Sequence, residues 1–160
     1  MSSIFAIDPG TTQSGWCRLG HAGVLDSGVM DNEDLLAVVQ RLPDSRLAIE
    51  MIASYGMSVG REVFETCVWI GRFSQAWHTP AKVERVYRKD VKMHLCGTPR
   101  AKDGNVRQAL LDMFPATGGG KVPQIGVKAR PGPLYGVSSH AWAALAVAVT
   151  ASANSVQKTG

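Results

Sequence analysis

Apolar and polar positions in the first half of the chain fall into short runs separated by glycine-containing breaks. Ser3–Asp8 is apolar and partly β-branched and ends at Pro9-Gly10, a strand followed by a turn. Gly15–Leu19 and Val24–Met30 follow after short breaks, which predicts a three-stranded antiparallel meander. From Asp31 the period becomes helical. Leu35, Leu36, Val38 and Val39 supply the apolar face, Asp31 is placed to cap, Asp34 stands at capping-box spacing, and Leu42-Pro43 ends the helix. Arg46–Glu50 reads as a buried strand that stops on a carboxylate, and 51–60 is a Gly-punctuated loop.

Arg61–His78 is the longest helical candidate, and its apolar residues, from Val63 and Phe64 to Trp77, wrap most of the way around. Such a helix must be covered on several sides. One side can be the sheet, and the other is a second subunit or, alternatively, the rest of a single-chain core. Lys82–Tyr87 reads as a further strand, with short helical pieces at Lys89–Leu95 and Asn105–Phe114. Residues 115–137 form a long Gly/Pro-rich loop with three positive charges, a length usually found in functional or mobile segments. Ser138 or Ser139 then caps a last helix that is rich in Ala and Val, carries no formal charge and runs to about Ala153. The order describes one mixed sheet with helices packed against it, a single domain over 1–153 with 154–160 as a flexible tail.

Composition narrows the class. With 160 residues, 45% hydrophobic and 19% charged, the chain can bury a core without staples. No stretch of 18 apolar residues exists, so no membrane span is expected. The opening Met-Ser-Ser-Ile-Phe-Ala-Ile-Asp lacks the features of a signal peptide. Cys17, Cys67 and Cys96 show no CxxC spacing, so neither a disulfide framework nor a thiolate zinc site is indicated, and a cytoplasmic location is expected. The net charge of +4 is unevenly spread. Residues 1–78 hold five Arg against nine acids, whereas 79–131 hold eleven Lys and Arg against four acids. Either a polyanion such as nucleic acid or a solvated basic face accounts for that block.

Asp8 ends the first strand and Glu50 ends a later one. If the strands are neighbours, two carboxylates meet at one sheet edge, repel, and suit Mg²⁺. Taken singly, Asp8 reads as a turn residue and Glu50 as a solvated strand-end charge. His140 stands in the first turn of the last helix, where it could ligate a metal, act as acid or base, or simply pack. Position 143, one turn along the same face, is Ala and carries no chemistry. Gly118-Gly119-Gly120-Lys121 fails as a Walker A loop, because Pro115 takes the first Gly position and Val122 follows the Lys. Asp8-Pro-Gly-Thr-Thr is similar to the first phosphate loop of the actin, sugar-kinase and chaperone ATPases, which need two such domains where this chain has length for one.

Four pieces in order resemble the RuvC family of Holliday-junction resolvases, of the RNase H-like nuclease superfamily. They are Phe5-Ala-Ile-Asp-Pro-Gly-Thr-Thr-Gln-Ser-Gly-Trp, Leu47-Ala-Ile-Glu-Met, Arg88-Lys-Asp-Val-Lys and His140-Ala-Trp-Ala-Ala-Leu-Ala-Val-Ala, spanning Ile4 to about Thr150. The resemblance implies an α/β fold, an RNase H-like mixed five-stranded sheet flanked by helices. It implies two-metal hydrolysis of phosphodiesters, with paired symmetric nicks in four-way junctions, Asp8, Glu50 and His140 as ligands of two Mg²⁺ ions (Mn²⁺ substituting), and Lys92 in catalytic support. It also implies a homodimer through helix 61–78, Tyr55 and Met57 probing the junction centre (a hydrophobic plug folded back on its own domain being the alternative), and Arg88, Lys89, Arg100, Lys102 and Arg107 on DNA phosphates. The family's last catalytic Asp falls at position 143, where this chain has Ala, so cleavage is expected to be impaired. So local a change looks like a deliberate inactivating substitution, a naturally inactive relative being the alternative. The compact size and the His-x-Trp form are more similar to phage-type members, which puts the protein in a bacterial or phage-infected cell. The competing readings are a non-catalytic branched-DNA-binding module on the same fold and a small nucleotide-binding ATPase-like domain.

Overall fold

The structure is a computed structural model and describes residues 3–43 and 45–158. Its centre is a five-stranded mixed sheet in the order β3-β2-β1-β4-β5. Strands β1 (Ile4–Asp8), β2 (Gln13–Gly20) and β3 (Gly23–Asp31) form the expected antiparallel meander. After α1 (Asn32–Gln40), β4 (Arg46–Met51) returns to pair parallel with β1. Beyond α2 (Arg61–Ala76) and a 3-10 turn at Pro80–Lys82, β5 (Glu84–Tyr87) adds parallel to β4. Three helices follow, α3 (Arg88–Cys96), α4 (Asp103–Met113) and α5 (Ala141–Lys158), with the small hairpin of β6 (Gly126–Val127) and β7 (Arg130–Pro131) between the last two.

Side chains on a strand alternate between faces, and both faces of β1 and β4 are buried. Phe5, Ile7, Leu47 and Ile49 point to one side, where Leu35 and Val39 of α1 and Ile70 and Phe73 of α2 cover them. Ile4, Ala6 and Ala48 point to the other, towards Ala144, Ala148 and Ala151 of α5. Alanine on sheet and helix alike lets α5 lie close across β1 and β2. Far from the strand ends that carry the carboxylates, Arg46 clamps the layers together. Its guanidinium donates to both carboxylate oxygens of Glu84, at 2.9 and 2.5 Å, and to the Ala151 carbonyl at 2.8 Å. Among the described residues no helix is long and apolar enough to cross a membrane.

Several boundaries differ from those the sequence pattern suggests. Helix α5, with 18 residues, exceeds α2, with 16, and continues to Lys158. Most of the segment expected as a tail is therefore helical, while 159–160 lie outside the described residues. His140 sits in the turn just before α5 rather than in its first turn. The 115–137 segment is no open loop but holds the β6–β7 hairpin. On α2 the inner face is covered, whereas Phe64 and Val68, one turn apart, are each 61% exposed.

The start of α1 also departs from expectation. Asp31 occupies the cap position, yet its side chain makes no cap hydrogen bond and instead accepts one from Gln13 at 3.1 Å. The neighbouring Asn32 does the bracing. Fully buried, it accepts a hydrogen bond from the Ser14 hydroxyl at 2.6 Å and donates to the Gly10 carbonyl at 2.9 Å. The Gly10 N–H in turn donates to Ser14 Oγ at 3.1 Å. Removing one partner orphans the others in a dry environment, at about 1–3 kcal/mol for each unsatisfied group. Asn32→Ala should therefore lower unfolding free energy by about 2–4 kcal/mol in urea titrations, whereas Asp31→Ala should cost less than about 1 kcal/mol.

Candidate active site at the carboxyl ends of the parallel strands

In sheets of this kind ligands bind beyond the carboxyl ends of the parallel strands. Strands β1 and β4 pair Ile7 with Ile49, so Asp8 and Glu50 leave the sheet side by side. By alternation both share the face of Ala6 and Ala48, the face covered by α5. Both side chains are mostly buried, Asp8 18% and Glu50 14% exposed.

Burial is the largest influence on each carboxyl and raises both pKa values. Asp8 is raised to about 6, with a hydrogen bond from Glu50 and the nearby charge of Arg88 pulling the other way. Glu50 goes to about 7, pushed further by the charge of Asp8 and held back by Arg88. Burial therefore favours the neutral form of both carboxyls, and the charge of Asp8 adds to that at Glu50. The compensating positive charge within the fold is Arg88, at the start of α3. One guanidinium nitrogen lies 3.7 Å from Glu50, and another donates to Asp103 at the start of α4.

His140 completes the group from the α5 side, its Nδ1 3.3 Å from Asp8 Oδ2. Two backbone features bring it there. Ser139 takes the left-handed conformation, with φ of 50°, unusual for a residue with a side chain. Gly15 lies opposite Asp8 on β2, and any Cβ on it would collide with the His140 carbonyl. The role of Gly15 was not legible as chemistry, although a glycine inside a strand already signals close approach of another backbone.

These groups line a cleft of about 740 Å³ between the sheet edge and the starts of α3, α4 and α5. Asp8, Glu50, His140, Arg88, Lys92 and Arg107 all face it, and so does Ala143. Arg107 lies over the ring of Trp142, 4.5 Å from its centroid. A shallower recess of about 320 Å³ adjoins it through Arg88 and Lys92 and is bounded by Tyr55 and Lys89. Tyr55 is 60% exposed on the loop after β4 and, with φ of 50°, is held in the left-handed region. Met57 is exposed on the same loop but lines neither cavity. Arg100 and Lys102 likewise lie outside both. From α4, Asp103, an acid that the sequence pattern does not single out, enters the cleft as well as Arg107.

Oxygen donors around a buried charge pair suit a hard divalent cation. Asp8 and Glu50 would provide them for one ion, with His140 alongside. Among the described residues, however, no three His, Cys, Asp or Glu side chains converge into a ready metal-binding cluster. The position one turn beyond His140, where a third carboxylate would face the cleft, is the methyl of Ala143.

No protein-family profile and no curated protein matches the chain. Solved structures do. The RuvC structure of Thermus thermophilus superposes with a TM-score of 0.68 at 19% identity, covering 98% of this chain and 97% of that one. T. thermophilus RuvC in complex with a Holliday junction substrate gives 0.67 at 20% identity, covering 99% and 98%. The mixed five-stranded sheet with flanking helices is the RuvC-like, RNase H-like fold.

The carboxyl pair makes a directional prediction for pH. A carboxyl whose folded pKa is raised binds more protons folded than unfolded, so stability is greatest below the ordinary carboxylate range and falls as pH rises through about 6 to 7. The metal-free protein should melt lower at pH 8 than at pH 5. Glu50→Gln should remove most of that drop and raise the melting temperature at pH 8 by about 5 °C, a relief on the order of 2 kcal/mol. An unchanged pH profile in the variant would show that the pair is not strained.

Proposed function

We propose that the chain is a RuvC-like endodeoxyribonuclease directed at four-way DNA junctions, with its cutting step impaired by alanine at position 143. The observation that carries this reading is the convergence of Asp8, Glu50, His140 and Ala143 on one cleft with a cationic wall. The shared fold with RuvC, one of whose structures holds a Holliday junction substrate, supports it.

In this reading Asp8 and Glu50 hold Mg²⁺, or Mn²⁺ in its place, with His140 as a further ligand. A divalent cation bound there supplies Lewis-acid activation of a water and of the phosphodiester. The chain does the rest. The braced turn after β1 fixes Asp8, and the backbone contact at Gly15 fixes His140 against it. Lys92, Arg88 and Arg107 offset the charge of the incoming phosphate, Arg88 exchanging its hold on Glu50 for the DNA. Tyr55 stands at the adjoining recess, where its ring can stack on an unpaired base, and Met57 extends that loop. Lys89, Arg100 and Lys102 continue the phosphate track on the outer surface. Two symmetric cuts require two copies, and the exposed Phe64 and Val68 ridge on α2 is the apolar surface for that homodimer.

Ala143 leaves a second ion one carboxylate short. On a labelled four-way junction with Mg²⁺, both this chain and its Ala143→Asp form should bind. Paired symmetric nicks should come from the Asp form, faster by roughly 100-fold or more. Comparable cutting by the two would remove Ala143 as the cause of impairment. Binding without cutting by either would favour the non-catalytic branched-DNA-binding module on the same fold, a reading that the Ala143 methyl itself motivates.

A further inference from the structure

Outside the cleft, the hairpin lobe between α4 and α5 carries three positive charges. The last acidic residue of the sequence is Asp112, so the lobe has no carboxylate of its own. Lys121, Lys128 and Arg130 are all exposed, and among the described residues none of them forms an ion pair.

The lobe is built as a rigid frame. Gly118 N–H donates to the Pro123 carbonyl at 2.8 Å, Gly119 N–H to Arg130 at 2.9 Å and Gly132 N–H to Ile125 at 2.9 Å. The backbones are so close that a Cβ on Gly118 would stand 2.7 Å from backbone atoms of three other residues. Gly126, with φ of 76°, and Gly132 leave still less room. A Cβ on Gly119 would touch Val127 and Arg130, and one on Gly120 would press on Val127, so 119–121 and 127–130 run side by side. Lys121, Lys128 and Arg130 therefore stand on neighbouring segments of the lobe. Beneath these segments, buried Leu134 and Val137, with Ile125 packed against them, anchor the lobe in the core cluster shared with α5.

A fixed, unneutralised group of three cations fits a polyanion with closely spaced charges, and duplex DNA carries one charge per about 1.7 Å of axis. Nine residues lie between Arg130 and His140, so the lobe can stand no further than about 35 Å from the cleft. A duplex arm leaving the cleft thus comes within reach of the lobe inside about one turn, roughly 34 Å. Resting on the DNA reading of the cleft, we propose that the 118–132 lobe is a second phosphate-binding element. It grips the backbone of a duplex arm outside the cleft, through Lys121, Lys128 and Arg130, and adds affinity without base recognition.

The test compares the full chain with Lys121→Ala/Lys128→Ala/Arg130→Ala by fluorescence anisotropy across a salt series, without added metal, on a labelled four-way junction and on a linear duplex. Each lost phosphate contact flattens the slope of log K against log salt by about 0.9. The triple variant should thus lose about 2 to 3 units of slope on both DNAs and bind at least roughly tenfold more weakly at 0.1 M salt. Its melting temperature should be unchanged, since all three side chains are exposed. Lys121→Arg/Lys128→Arg should keep the slope of the unsubstituted chain. Equal slopes for the triple variant and the unsubstituted chain would overturn the proposal and turn the lobe towards a different class of partner, such as an acidic protein. If the unsubstituted chain prefers neither DNA, the junction reading fails, while the slopes on the duplex still decide the lobe. Binding to neither DNA would overturn both.

Discussion

Backbone hydrogen bonding between β1 and β4 forces together two carboxyl groups that water would keep apart. Parallel pairing in this register leaves no choice: once Ile7 stands beside Ile49, Asp8 must stand beside Glu50 on the same face. Everything around the pair answers to that repulsion. Arg88 leans in to offset part of it, and Asp103 holds Arg88 from the other side. The turn beyond Asp8 is locked by a buried polar triangle, so the pair cannot relax by drifting apart.

The second determinant is the distance between α5 and the sheet. Had Ala6, Ala48, Ala144 or Ala148 been a larger residue, the helix would stand further off, and His140 would lose its reach to Asp8. Packing and chemistry are therefore set by the same small side chains. The helix carries no formal charge over 141–157, because it is buried on the sheet side and against α3 and α4. Polar function is confined to its first turns and to the turn before them.

Much of this was legible in the sequence. Strands end on Asp8 and Glu50, and β-branched and apolar runs mark their interiors, but only the β1–β4 register puts the two acids on one face. Arg88, Lys92 and Arg107 were legible as a basic block, and the cleft gathers them. What escaped was whatever depends on contact between distant backbones or on short polar side chains. Asp31 has the better sequence credentials as a cap, yet Asn32 does the work, because an amide can donate and accept at once and a carboxylate cannot. Asp103 reads as a helix-start acid, and only the adjacency of α3 and α4 gives it Arg88 for a partner. The 115–137 segment reads as irregular because its order comes from glycines packed backbone to backbone, which leave no apolar period to detect.

The contact between Gly15 and the carbonyl of His140 has an evolutionary consequence of its own. Most contacts between distant segments leave a paired trace in families of sequences, since a change in one side chain is answered by a change in the other. Here one partner is the absence of a side chain, and the other is a carbonyl that every residue type supplies. No substitution at position 140 can compensate for a methyl at position 15. Covariation methods would find the glycine invariant and silent, coupled to nothing, although it fixes the spacing on which the site depends.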